Sequence, residues 1–453
     1  MRTHGKHYFK APSNMLEGLK PLVHRGLRSS VSRNALFLYS IQFANYLLPL
    51  ITVPYLVRIL GVERFGTLAF GQGLTAYFSV LVGYGFDWSA TRKISVERNQ
   101  SGVVGRVAAN VWAAKLLLYI VSFLSLLLLI QLVPRIHEVS ALMVVLFCGI
   151  LGAVVFPTWL FQGLERMGPI SIINLSVRAL VVVGMFILVR KPQDFIIYAG
   201  LSSAGTIVAG LLGVGIAFRT FKLKFIWPTW SGIWESLREG WVLFLSSSAI
   251  VLYTAGNAFI LGLIASDTVV GYFTAGEKII RAMVSMLGPL SQALFPRFSK
   301  LAEESKAKAL QWGKRLLFAM GGTGLLLSIM TFVGAGLIVR VVLGPNYHPS
   351  VSVVRILALV PLLVAVSGVL GVQIMIPFGR EKAVFLIVLG AGFLNVVLAC
   401  ILASVWKADG MAVSVLLAES FVTLAHFGYL WKVKLNPLWG ARLPAESEPY
   451  RTC

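Results

Sequence analysis

NALFLYSIQFANYLLPLITVPYLVRI, residues 34–59, is the stretch that decides the architecture of this chain. It carries no acidic residue and a single basic one, Arg58. At about 1.5 Å per helical residue it is long enough to cross a hydrocarbon core of about 30 Å. It is too long for the core of a signal peptide, and runs of the same kind follow it, so it reads as a retained span. Eleven more apolar runs occupy roughly 67–90, 107–133, 141–162, 168–189, 195–218, 241–265, 268–296, 316–339, 349–378, 383–405 and 408–431. The predicted fold is all-α: a polytopic membrane protein of about twelve transmembrane helices.

The composition agrees. Of 453 residues, 57% are hydrophobic and 13% charged, with a mean hydropathy of +0.82. Soluble domains are nearer a quarter charged. A net charge of +22 invites a nucleic-acid partner, but the 40 Lys and Arg lie mostly in alternate gaps between runs. With the amino terminus in the cytoplasm, 28 of them fall on the cytoplasmic side, 7 on the other side and 5 within spans. The positive-inside rule demands such a bias, so both termini are expected in the cytoplasm and no nucleic acid is expected as a partner. Trp88, Trp241, Trp312, Trp406 and Trp431 fall near run ends, where indole prefers the headgroup level. Cys148 and Cys400 lie inside runs and Cys453 ends the chain, a spacing that suggests neither a disulfide frame nor a metal site.

The gap over 219–240 divides the runs six and six. Five segments are expected: a basic cytoplasmic tail (1–33), a six-helix bundle (34–218), a cytoplasmic linker (219–240), a second six-helix bundle (241–431) and a cytoplasmic tail (432–453). The halves also show a repeat. Run two reads GTLAFGQ from Gly66 and run eight reads GYFTAGE from Gly271. Gly66, Gly71 and Gly83 match Gly271, Gly276 and Gly288 at one offset of 205, and Gln72 matches Glu277. With six helices each, both halves enter the membrane from the same side. The repeats are then parallel, with a central cavity between them.

Ionisable residues inside a span are costly and raise a functional hypothesis by default. The deep set is five cations (Lys115, Arg178, Lys278, Arg281 and Arg355) against two anions, Glu277 and Glu419. Such a surplus suits an anionic ligand, phosphate above all. Each residue also has a plainer reading. Lys115 and Arg355 are shallow enough to snorkel. Glu277 and Arg281, spaced i,i+4, either neutralise each other or line the cavity. Asp87, near the cytoplasmic end of run two, is an end-of-helix charge or an ion ligand, and with Glu277 and Glu419 completes the carboxylates available for ion coupling. Arg58 is an outer anchor or touches a polar ligand, and Asn45 caps exposed backbone or lines the cavity. Pro49, Pro54, Pro289 and Pro361 are hinge candidates, alongside Pro296 and Pro377, because each removes a backbone hydrogen bond; a static kink is the alternative.

Catalytic chemistry finds no foothold. There is no phosphate-cradling P-loop, no HExxH and no acidic cluster for a divalent metal, so neither enzyme activity nor a cofactor is expected.

Three segments carry a resemblance: NYLLPLITVPYLVR from Asn45, GFDWSATRKIS from Gly85, and EKIIR from Glu277 followed by GPLSQALFPR from Gly288. From about Asn34 to Trp431 the chain resembles the polysaccharide-transporter branch of the MOP flippase superfamily, the Wzx-type O-antigen flippases. The resemblance implies a V-shaped fold of two bundles. It implies that an undecaprenyl-diphosphate-linked oligosaccharide moves from the cytoplasmic to the periplasmic leaflet of a bacterial inner membrane by alternating access, for O-antigen or exopolysaccharide assembly. Membrane lipids, a polysaccharide polymerase and a chain-length regulator are the implied partners. A cation-coupled multidrug exporter of the same superfamily is the first rival, although its cavity should be acidic or neutral. A non-transporting membrane partner of polysaccharide synthesis is the second.

Overall fold

The structure, a computed structural model, describes residues 30–439 apart from 99, 222, 224 and 225. Side chains are described from Leu48 onward, except at 101, 246, 249, 252, 253, 293 and 439. Most of the expected basic tail, the side chain of Asn45 and the carboxyl tail from 440 lie outside these described residues. Among the described residues there is helix and no strand. Lipid imposes this, since each backbone donor and acceptor in the hydrocarbon must be satisfied within its own segment.

In chain order the helices are α1 (Ser30–Gly83), α2 (Phe86–Glu97), α3 (Ser101–Leu132), the single turn α4 (Pro134–His137), α5 (Ser140–Val155), α6 (Thr158–Gly163), α7 (Met167–Leu188) and α8 (Phe195–Phe221). The second half continues with α9 (Trp230–Tyr253), α10 (Gly256–Ile264), α11 (Asp267–Ser285), α12 (Gly288–Glu304), α13 (Lys306–Ile338), α14 (Ser350–Leu357), α15 (Val360–Gly368) and α16 (Glu381–Lys432). Wider π-helical turns, Val339–Leu343 and Val369–Met375, prolong α13 and α15.

Among the described residues, eight helical stretches are long and apolar enough to cross a membrane. Two of them double back, α1 at Gly61 (φ 70°, ψ 175°) and α16 at Lys407 (φ 51°, ψ −121°). The Gly61 conformation is open essentially to glycine alone, so the hairpin tip falls there. Two further runs are broken midway, as α9–α10 and α11–α12. The path through α11 and α12 bends by 46° between Gln292 and Leu294. Pro296 explains the bend, because its ring excludes the carbonyl four residues back, that of Gln292. With these breaks counted, the architecture is consistent with twelve runs. Pro289 and Pro361 stand in the first turns of α12 and α15, directly after breaks. Pro49 and Pro54 lie within α1, and the helix does not break at either.

The apolar core shows how the halves meet. On the side opposite the basic connections, one cluster joins both halves, with Val57, Phe65, Leu142 and Val189 from the first packed together with Phe273, Val339, Tyr347 and Met411 from the second. On the basic side there are two clusters instead. One is built on Phe86, Ile94, Trp159 and Phe161, the other on Phe298, Leu310, Leu370 and Ile374. The halves therefore share one core at the outer end and have separate cores toward the basic end.

Association between helices in lipid rests on close packing rather than on release of water. The matched glycines supply it. A Cβ on Gly66 would collide with the carbonyl of Asp267 and lie 2.7 Å from the amide of Gly271, and one on Gly271 would collide with the carbonyl of Val62. The contact is reciprocal at the repeat offset. Gly71 packs on Leu142 and Leu146 of α5, and Gly276 packs on Val353 and Val354 of α14, so the second pair also has equivalent surroundings. Gly83, by contrast, has open space around it.

The segment expected as a linker, 219–240, is helical at both ends, since α8 runs to Phe221 and α9 starts at Trp230. Thr229 caps α9 by accepting from the amide of Gly232 at 3.2 Å. The first turns of α9 pack on the first half. Asn110 accepts from the amide of Thr229 at 3.0 Å, Lys93 pairs with Glu235 at 2.7 Å and Glu239 at 3.1 Å, and Tyr84 stacks on Phe244. Run seven thus begins against the first half, and its later part, α10, packs on both α1 and α16, with Phe259 stacked on Phe70 and Asn257 bonded to Asn395.

Candidate functional site

The site grows from a broken helix. Where α9 gives way to α10, the backbone turns off helical geometry at Thr254 (φ −109°, ψ −74°), and a helix end leaves carbonyls without intrahelical donors. Arg281 of α11 donates to the Thr254 carbonyl at 2.9 Å. The same guanidinium binds Glu277, one turn earlier, at 2.6 Å and 3.2 Å. Glu277 is only 8% exposed, so its charge is held by this partner. Glu419 of α16 faces Arg281 closely enough to feel its charge. Asn257, just past the break, accepts from Asn395 of α16 at 2.7 Å in a fully buried pair. The hydroxyl of Tyr77 abuts Gly256, where a Cβ would collide with it.

Lys278 completes the group. It is half-buried, flanked by the charges of Glu277 and Arg281, and has no hydrogen bond or ion pair among the described residues. Runs seven, eight, eleven and twelve therefore bring together two cations and two carboxylates with a backbone carbonyl and two amides. An incoming anion would find an ammonium ready to bind, and a guanidinium with about half of its side chain (48%) exposed beside it.

The other expected residues are placed elsewhere. Lys115 is 4% exposed and donates to the Ala153 carbonyl at 3.2 Å, so it does not snorkel. It feels the charge of Asp87, which is exposed in the first turn of α2, just after the left-handed pair Tyr84 and Gly85. A carboxylate suits that helix start. Arg178 and Arg355 lie on the exposed faces of α7 and α14. Arg58 is at the outer end, donating to the Val341 carbonyl. Lys115 and Arg58 thus bind backbone carbonyls outside the group around Arg281, in which two carboxylates accompany two cations.

The outer end carries a polar latch between the halves. Asp267, in the first turn of α11, accepts from Thr67 at 2.7 Å and pairs with Arg135, both from the first half. Arg135 also pairs with Glu138 at 2.8 Å and lies over the ring of Phe70. Tyr347 donates to the Val57 carbonyl at 3.1 Å.

Two features lie outside the set of charged residues singled out in the sequence. Asn257 and Asn395 are uncharged, although an amide inside an apolar run is itself a signal. His426 is buried against Gly371 in the second π-helical turn, with neither ring nitrogen hydrogen-bonded among the described residues.

Comparison with known proteins places this geometry. A family model described as "Polysaccharide biosynthesis protein" matches residues 31–302. A protein of Escherichia coli (strain K12) named "Putative O-antigen transporter" is 32% identical over 394 residues, covering 87% of this chain and 95% of the other. A protein of the same name from Shigella dysenteriae is 30% identical over 397 residues, 87% of this chain and 98% of the other. Among solved structures, the lipid II flippase MurJ in an inward closed conformation aligns with a TM-score of 0.71 at 14% identity, covering 88% of this chain and 87% of that one. An inward-facing MATE family multidrug resistance transporter of the MOP superfamily aligns with 0.63 at 13% identity, covering 87% and 96%. Both likenesses are of fold.

Proposed function

The chain belongs to the polysaccharide biosynthesis protein family, and from that premise we propose that it carries an undecaprenyl-diphosphate-linked oligosaccharide from the cytoplasmic to the periplasmic leaflet of the inner membrane by alternating access. It is a multi-pass membrane transporter with a polysaccharide flippase role, not an enzyme. The finer reading rests on one observation above the rest. Lys278 presents a half-buried ammonium with no hydrogen bond or ion pair among the described residues, beside Arg281, in a molecule whose halves have separate cores on the basic side. A diphosphate entering from that side meets two donors of opposite character, a mobile ammonium and a planar guanidinium fork.

In this reading the basic side is cytoplasmic, and the latch at Asp267 closes the periplasmic end. The return half of the cycle breaks the latch and brings the two basic-side clusters together. Glu277 and Glu419 are the carboxylates nearest the diphosphate donors and the best placed to couple an ion to release. The multidrug-exporter reading loses its support, because the relatives at 30–32% identity are named for O-antigen and the likeness to MATE proteins is one of fold.

The test is a strain lacking this protein. Undecaprenyl-diphosphate oligosaccharide should accumulate on the cytoplasmic face of its inner membrane. Normal surface polysaccharide without accumulation would overturn the proposal. Reporter fusions near Arg98 should read cytoplasmic, and those near Glu138 and Tyr347 periplasmic.

A further inference from the structure

A groove of about 310 Å³ runs between α3, α5 and α8 in the first half, toward their basic-side ends. It exists because Gly105, Ala108 and Ala109 put almost no side chain where α3 faces its neighbours. Its floor is Trp112, whose indole N–H donates to the Val155 carbonyl at 3.2 Å while its ring stacks on Phe218. That carbonyl is available because α5 ends at Val155, just ahead of Pro157. The polar edge of the indole is thereby satisfied, and no charged side chain lines the groove. Such a lining takes a hydrocarbon chain.

The mouth is different. Arg106 follows Gly105 and Arg219 follows Phe218, both exposed, and neither has a hydrogen bond or ion pair among the described residues. Leu223 and Ile226, from the segment after α8, close one side. The chain then enters a row of tryptophans, Trp227, Trp230, Trp234 and Trp241, each at least half exposed. Further along, α9 also exposes Val242, Leu245 and Ile250. Indoles in that position mark the headgroup layer. Arg106 and Arg219 thus stand one residue from the lining positions Gly105 and Phe218, at the basic-side ends of α3 and α8, the level at which the phosphates of that leaflet are expected.

We propose that this groove is a binding site for one anionic phospholipid of the leaflet on the basic side, with an acyl chain against Trp112 and Phe218 and the phosphate between Arg106 and Arg219. The site is separate from the one that holds Lys278, which lies in the other half, so its fate does not decide the translocation reading. Two basic residues at an anionic surface correspond to a preference of roughly 30-fold for phosphatidylglycerol over phosphatidylcholine.

The experiment uses the full chain, purified with lipid and examined by native mass spectrometry with phosphatidylglycerol and phosphatidylcholine in competition. Wild type should retain one phosphatidylglycerol preferentially. The exposed pair Arg106→Gln, Arg219→Gln should bind both lipids equally, and Ala109→Leu, which fills the groove, should retain neither. Equal retention of the two lipids by wild type overturns the proposal, as does an unchanged preference in the arginine double variant. Displacement of phosphatidylglycerol by equimolar undecaprenyl phosphate also overturns it, because the occupant would then be a polyprenyl chain. If Ala109→Leu fails to fold, the arginine pair alone decides.

Discussion

Lys278→Gln is the cleanest probe of the site, because the residue has no hydrogen bond or ion pair to lose among the described residues. Truncating Arg281 instead would strand Glu277 and orphan the Thr254 carbonyl. Breaking a fully buried pair costs about 3–5 kcal/mol. Since the Arg281 side chain is 48% exposed, solvent screening reduces that to about 1–3 kcal/mol. An Arg281 variant therefore mixes misfolding with lost binding. Lys278→Gln should shift stability by no more than about 0.5 kcal/mol, the range of substitutions that break no named interaction. If the ammonium binds a diphosphate, its loss removes a charge-assisted hydrogen bond of about 1.5–3 kcal/mol. Substrate binding then weakens roughly 10- to 150-fold. The assay is flipping of lipid-linked oligosaccharide in proteoliposomes, with thermal unfolding of the same preparations alongside. Wild-type flipping across the substrate range, in a protein of unchanged stability, refutes the role assigned to Lys278.

Three further outcomes are expected. Gly66→Ala and Gly271→Ala should each lower thermal stability by about 1–3 kcal/mol through overpacking at the reciprocal crossing, whereas Gly83→Ala, with open space around it, should not. Asp267→Asn should loosen the outer latch, so that a cysteine at Val62, in a background without native cysteines, reacts faster with a membrane-impermeant maleimide; an unchanged rate would show that apolar packing alone holds that end shut. Neutralising Asp87, Glu277 and Glu419 singly should reduce gradient-dependent flipping where the carboxylate couples an ion, and retention of wild-type gradient dependence by all three variants would remove them from that role.

Much of this architecture could be read from spacing. The hairpin tips fall at Gly61 and Lys407, where the apolar runs nearly touch, because a reversal needs few residues but an unusual backbone. Gly66 with Gly271 and Gly71 with Gly276 were visible as an offset, and their matched environments give that offset a steric cause. The break at Thr254 was not visible, because no proline marks it and its carbonyl is satisfied by Arg281, 27 residues away. The first turns of α9 were hidden for another reason: Glu235, Arg238 and Glu239 interrupt any apolar run, yet the helix forms because Thr229 caps it and Lys93 meets its acids. Counting charge by depth singles out Lys278 and Arg281, but it cannot tell that Lys115 is buried on the Ala153 carbonyl. Depth along a helix is a sequence property, whereas the direction of a side chain depends on what packs around it.

The latch and the site belong to one unbroken helix, α11, from Asp267 to Ser285. Asp267 and Arg281 are about 21 Å apart along its axis at 1.5 Å per residue. A helix of that length behaves as a stiff rod, so a ligand that drags Lys278 and Arg281 sideways also loads the far end, where Thr67 and Arg135 grip Asp267. The proposed site needs no relay of side chains to reach the outer seal. A tug at one end is a strain on the clasp at the other.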